Sequence, residues 1–135
     1  MTYVDAYLIP LRTEKLADYE RFSRQVAAVY REYGALRIVD CRLDSDAADS
    51  LAFHAEEARA SLEDDGPLRD FEVAADVRSG ETVILSWTEW PSKQARDEGL
   101  ARALADPRVQ PREEDGILFE GRRLIAGAFA KLIEV

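Results

Sequence analysis

Along this chain, stretches whose apolar residues recur every second position alternate with stretches whose apolar residues recur every third or fourth. The clearest unit runs from Gly80 to Arg108. A turn signal leads into the β-rich apolar run Thr82 to Trp90. Pro91 stops that run, Ser92 is a helix N-cap, and a helical segment continues until Asp106-Pro107 closes it. On the strand, Val83, Leu85, Trp87 and Glu89 alternate with Ile84, Ser86, Thr88 and Trp90, and the pattern leaves open which set faces inward.

The same reading applied from the N-terminus predicts a first strand over Tyr3 to Pro10. Its even positions, Val4, Ala6 and Leu8, are purely apolar, whereas Tyr3, Asp5, Tyr7 and Ile9 are mixed. A helix layer is expected on the apolar face and something wetter opposite. Thr13 is placed to cap a helix running to about Tyr33. There Leu16, Tyr19, Phe22, Val26, Val29, Tyr30 and Tyr33 form one stripe, and Gly34 stands at the C′ position. The aromatic residues of that stripe read as core. Ala35 to Leu43 predicts a second strand, with Val39, Cys41 and Leu43 on one face and Ile38, Asp40 and Arg42 on the other.

From Asp44 to Gly66 the character changes: the window holds 8 acidic residues and a single arginine. It reads as an exposed acidic insertion with a short helix through Leu51, Ala55, Ala58 and Leu62, capped by Asp49 or Ser50. Pro67 to Val77 then alternates with period two and predicts a half-exposed edge strand, paired as a hairpin with the Thr82–Trp90 strand. Val109 to Gly121 reads as a loop. Leu124 to Val135 is nearly continuous apolar, as a central or interface strand would be. The order β-α-β-(helix, β)-β-α-β is the split βαβ, ferredoxin-like α+β pattern with an antiparallel sheet, carried by one domain over residues 1–135 with an insertion at about 44–66.

Composition narrows the function classes. With 27 acidic and 18 basic residues the net charge is −9, and a chain that acidic repels polyanions, which argues against nucleic acid or an anionic membrane as partner. The 47% hydrophobic content supplies a core without disulfide or metal. One cysteine, Cys41, permits no internal disulfide. Together with the lack of a recognisable signal peptide, this makes a cytoplasmic protein the expectation. The run from Tyr3 to Leu11 is too short to span a bilayer.

Several blocks together resemble the YbaA-like family of small bacterial proteins. They are Tyr3-Val4-Asp5, Gly34 through Cys41, Ser86-Trp87 through Glu89-Trp90-Pro91-Ser92-Lys93, Arg96-Asp97, Ala105-Asp106-Pro107-Arg108, and Phe119-Glu120-Gly121-Arg122-Arg123 followed by Gly127 and Phe129. The resemblance runs nearly end to end. It implies a dimeric α/β barrel in which the sheets of two ferredoxin-like subunits face each other with the helices outside. It implies no reaction. The acidic insertion is longer than the family pattern leads one to expect.

In such a barrel the face of each sheet away from its helices lines the interior, and alternation would place Asp5, Tyr7, Asp40 and Arg42 there. With Glu89 they would set carboxylates near an arginine and aromatic walls from Trp87 or Trp90. Tyr7, Asp40 and Glu89 are then the catalytic candidates, a buried carboxylate with a raised pKa being a general base. The structural alternative is a salt-bridge network at a dimer interface or the wet rim of the sheet. Arg123, beside Gly121, is a candidate clamp on a substrate anion or carboxylate, the structural alternative being a clamp on a backbone carbonyl or on a carboxylate from a partner subunit. His54 without supporting ligands argues against haem or metal. Asp64-Asp65 and Asp44-x-Asp46 lack calcium-loop spacing and read as an exposed acidic face. The sequence therefore predicts a homodimer without cofactor or metal and with a small-molecule pocket between the sheets. Two alternatives stand beside it: a cofactor-independent monooxygenase or isomerase acting on a small apolar or aromatic substrate, and a regulatory module using the acidic insertion.

Overall fold

The computed structural model describes residues 2–46, 50–62, 66–111, 113 and 116–135. Four strands, β1 (Tyr3–Arg12), β2 (Arg37–Arg42), β3 (Glu81–Trp90) and β4 (Ile125–Ala130), form one sheet in the order β2-β3-β1-β4. All three pairings are antiparallel. Helices α1 (Leu16–Glu32) and α4 (Lys93–Ala105) cross from strand to strand. Between β2 and β3 the chain carries α2 (Glu56–Leu62) and the single-turn α3 (Phe71–Ala74). This is the split βαβ arrangement. Among the described residues no helix is long and apolar enough to cross a membrane.

Local signals explain the element boundaries. The Ala95 amide donates to Ser92 Oγ at 3.1 Å, so α4 starts on the expected cap. Gly34, at φ 109°, ends α1 in a conformation that glycine adopts without a steric cost. Helix α1 itself opens through a 3₁₀ turn over Thr13–Lys15, with no Thr13 side-chain cap. Pro10 sits inside a central strand because β4 ends at Ile125 opposite Leu8, so the side of Pro10 that lacks a donor has no neighbour to satisfy.

Two of the expected strands need correction. Pro67–Val77 is not an edge strand. The Val73 amide donates to Asp70 Oδ1 at 2.8 Å, which caps a helical turn over Phe71–Ala74, and only Ala75 of its apolar residues is buried. A hairpin with β3 has nowhere to form, since β2 and β1 already occupy both edges of β3. The last strand is shorter than expected and is not central: it covers Ile125–Ala130, pairs with β1 at the sheet edge, and is exposed at all six positions. Asp49, Asp64 and Asp65 lie outside the described residues.

Register decides which face of the sheet carries what. Ile9, Leu11, Tyr19 and Ile84 form one buried cluster with Tyr7, Leu16, Phe119 and Leu124 against it. The odd positions of β1 and the even positions of β3 therefore face α1. The even positions of β1 lie on the opposite side, where Leu8 and Val83 are covered by Ala75, Leu43 and Val77 from the chain flanking the sheet. The expectation that Val4, Ala6 and Leu8 would meet the helices is reversed.

At the far end of the sheet, Arg123 Nη1 donates to Glu81 Oε2 at 2.6 Å and Arg123 Nη2 to Glu81 Oε1 at 2.8 Å and to the Asp76 carbonyl. Arg123 is thus a clamp on the turn before β3. Its hydrogen bonds pull the Glu81 carboxyl from its ordinary 4.5 down to about 2. A depressed folded-state value means that the unfolded chain takes up the proton first as pH falls. The contribution of Glu81 is complete above the unfolded value of 4.5 and is lost on acidification through that value toward about 2. Denaturant titrations across this window should show the midpoint gap between wild type and Glu81→Gln closing. A gap that stays constant down to the acid limit would sink the assignment.

Candidate functional site

A cleft of about 350 Å³ lies between the sheet and the helices, within the range of small-molecule sites. From the sheet come Tyr7 and Ile9 of β1, Ile38 of β2, and Ser86 and Thr88 of β3. Helix α1 supplies Tyr19, Phe22, Ser23, Val26 and Tyr30. None of the described lining residues carries a charge. The stripe of α1 that the sequence marks as core is thus only partly filled in: its aromatic rings wall a space.

The electrostatics of the wall follow from burial. Burial raises the pKa of Tyr7 first, with the negative charge of Asp5 adding to it. Tyr30 is raised for the same two reasons. Tyr19 is raised by burial and then by the negative charge of Asp40. All three phenols stay neutral at physiological pH. Tyr7 is therefore a neutral hydrogen-bonding group and no base.

Asp40 stands where the main cleft meets a second one of about 420 Å³, which it lines with Arg42, Cys41, Tyr19 and Ser23. Ser23 Oγ donates to Asp40 Oδ2. Of the predicted pocket residues, Tyr7, Asp40 and Arg42 thus share the helix-facing side of the sheet, as alternation indicated. That side, however, faces helices of the same chain, so it does not line a space between sheets.

The other predicted residues have different tasks. Asp5 shares this face but belongs to a buried knot beside the cleft. Arg96 Nε donates to Asp5 Oδ1 at 2.9 Å, and Trp90 Nε1 donates to Asp5 Oδ2 at 3.1 Å. The Asp5 side chain is 3% exposed and that of Arg96 26%. Trp90 is fully buried and packs on the Tyr30 ring at 6.2 Å, so it supports the cleft wall from behind. Trp87 and Glu89 point to the opposite face. Glu89 accepts from Arg37 Nε and lies 3.7 Å from Lys131 Nζ. The hydrogen bond from Arg37 lowers its pKa, the opposite of the raised value expected of a buried general base. His54 lies on the exposed insertion, its backbone amide bonded to the Leu51 carbonyl. Among the described residues no group of three or more His, Cys, Asp or Glu side chains is placed to hold a metal ion.

Tyr19, Tyr30, Ser86 and Thr88 were not legible as site residues. The one signal in the sequence was the pair of hydroxyl residues at alternate positions of an otherwise apolar strand. In the fold both are buried, Ser86 at 7% exposure and Thr88 at 2%.

Comparison with solved structures places the fold beside a variant of SnoaB, a cofactor-independent oxygenase from Streptomyces nogalater. The TM-score is 0.57 at 13% identity, over 99% of this chain and 96% of the other. Rv0793 from Mycobacterium tuberculosis is similar at a TM-score of 0.50 and 15% identity, over 99% and 98% of the two chains. At those identities the likeness is one of fold. In sequence, the chain is 32% identical over 134 residues to the uncharacterized protein YbaA of Escherichia coli, and to that of Shigella flexneri, covering 99% of both chains in each case. The pattern of a family described as "Protein of unknown function (DUF1428)" matches residues 2–121. The chain belongs to this YbaA-like DUF1428 family.

Proposed function

We propose that this protein binds a small, uncharged, largely aromatic molecule in the cleft between its sheet and α1. The observation that carries the reading is the lining: an aromatic and aliphatic wall with a few hydroxyls and, among the described residues, no charge. A site with no counter-ion disfavours phosphates and carboxylates, because desolvating an unpaired charge costs far more than apolar contact returns. Naphthalene should therefore bind, and Val26→Trp, which fills the cleft from α1, should weaken that binding at least about tenfold without changing the fold. Isothermal titration with circular dichroism as the folding control checks both halves. Undiminished binding to a folded Val26→Trp variant would move the ligand elsewhere.

A second reading is supported by the fold it shares with a cofactor-independent oxygenase: a cofactor-independent monooxygenase or isomerase acting on a small apolar or aromatic substrate in this cleft. It rests on analogy of fold and on the lining together.

The reading extends to a cytoplasmic homodimer. The face of the sheet away from α1 presents half-buried Val4, Val39, Leu85 and Trp87, with exposed Ile125 and Phe129. Pairing of two such faces would bury this surface and close the sheets into a barrel. Light scattering at micromolar concentration should return the mass of two chains, and a monomer would reject the pairing.

A further inference from the structure

One wall of the cleft has a hydrogen-bonding direction. Ser23 donates from Oγ to Asp40 Oδ2, and the Tyr19 phenol stands beside Asp40, Ser23 and Ser86. A carboxylate accepts and does not donate. The Ser23 and Tyr19 hydroxyl protons are therefore both drawn toward Asp40, leaving oxygen lone pairs on their other sides. With the Tyr19 proton directed at Asp40, the phenol oxygen is left as an acceptor for Ser86, which has one proton to give. Tyr19, Ser23 and Ser86 line the main cleft, whereas Asp40 lines the adjoining one with Tyr19 and Ser23. The carboxylate thus sits outside the apolar space and polarises hydroxyls that sit inside it. Tyr19 is 6% exposed, so a ligand oxygen beside it has few waters to compete with.

Resting on the cleft being a ligand site, we propose that Ser86, Tyr19 and Ser23, oriented by Asp40, recognise a hydroxyl of an aromatic ligand by accepting its proton in a hydrogen bond. The ligand class is then a phenol or naphthol. An ether or ketone of the same shape would set lone pair against lone pair at this wall. An anion of the same shape would meet acceptors as well as an unfavourable desolvation. Asp40 is a positioning residue here, since it fixes the direction of the chain without touching the ligand. Tyr19, Ser23 and Ser86, which line the cleft, make the contact.

The test compares α-naphthol, its methyl ether and naphthalene, each titrated calorimetrically into the full chain. We expect α-naphthol to bind about tenfold tighter than the ether, the worth of one hydrogen bond shielded from water. Asp40→Asn supplies donors as well as an acceptor, so the hydroxyl chain can reverse. The naphthol-to-ether ratio should fall to about threefold or less while naphthalene affinity holds. Tyr19→Phe should lower the naphthol-to-ether ratio as well, and if it fails to fold, the exposed position of Asp40 makes Asp40→Asn the safer variant. A wild-type ratio near one, with naphthalene still bound, overturns this proposal and leaves the apolar cleft standing. Failure of all three compounds to bind overturns both. A ratio unchanged in a folded Asp40→Asn variant removes Asp40 from the recognition.

Discussion

Asp5→Ala should lower the stability of this protein by about 3 kcal/mol, a loss of about 10 °C in the unfolding midpoint for a chain of this size. The carboxylate is 3% exposed and takes hydrogen bonds from both Arg96 and Trp90. Its removal strands the Arg96 guanidinium, which the Asp5 hydrogen bond holds strongly in its charged form. It also strands the indole N–H of a fully buried tryptophan. Because Arg96 keeps 26% of its side chain exposed, water recovers part of the cost, which sets the figure at the lower end for broken buried pairs. Asp97→Ala serves as the control. Asp97 pairs with Lys93 and Arg96 on the surface, and its loss should leave the midpoint unchanged within error. Equal effects of the two substitutions in thermal unfolding would refute the role given to Asp5.

Gly99→Ala should cost about as much, though alanine is the better helix former by about 1 kcal/mol. Gly99 is buried in α4 where the helix crosses β3. A Cβ there would lie 2.5 Å from Cζ3 of the Trp90 ring and closer still to the Tyr33 carbonyl oxygen. Neither neighbour can yield cheaply. The Trp90 ring is fully enclosed and held through Asp5, and the carbonyl belongs to the backbone. Overpacking of this kind costs about 3 kcal/mol when no flexible side chain can move aside. A second consequence is specific to the site. Trp90 backs Tyr30, so a displaced indole would move one wall of the cleft. Gly99→Ala should therefore lose naphthalene binding beyond what its reduced stability explains, as measured well below its unfolding midpoint. A variant as stable as wild type would show that α4 can slide away from β3.

Both predictions depend on residues that lie far apart in the chain, and this separates what was readable from what was not. The strand Thr82–Trp90, the Ser92 cap, the α1 stripe from Leu16 to Tyr33 and the Gly34 terminus were all legible, since each is written in spacing within a few residues. So was the grouping of Asp5, Tyr7 and Asp40 on one face, because a strand alternates regardless of what covers it. The side on which the helices lie was misread. Val4, Ala6 and Leu8 make the more apolar face of β1, and apolarity is the ordinary guide to the helix side. The opposite face is buried all the same, since Arg96 and Trp90 neutralise its aspartate from positions 91 and 85 residues away.

The region Pro67–Val77 failed for a related reason. Its period-two pattern is genuine, but a strand needs a partner edge, and β3 had none left to offer. A single aspartate cap was then enough to turn Phe71–Ala74 into a helical turn.

The sequence alone determined the four sheet strands, the two helices that connect them, their order and the family, because periodicity, capping and block order are local or linear properties. Only the tertiary structure decided that the space lined by Tyr7, Tyr19 and Ser86 lies between sheet and helices, that Trp90 and Asp5 support its wall, and that Glu89 and Arg123 are bound in ion pairs elsewhere. A cleft is the volume that side chains from distant segments fail to fill, and no spacing along the chain records how closely those segments approach.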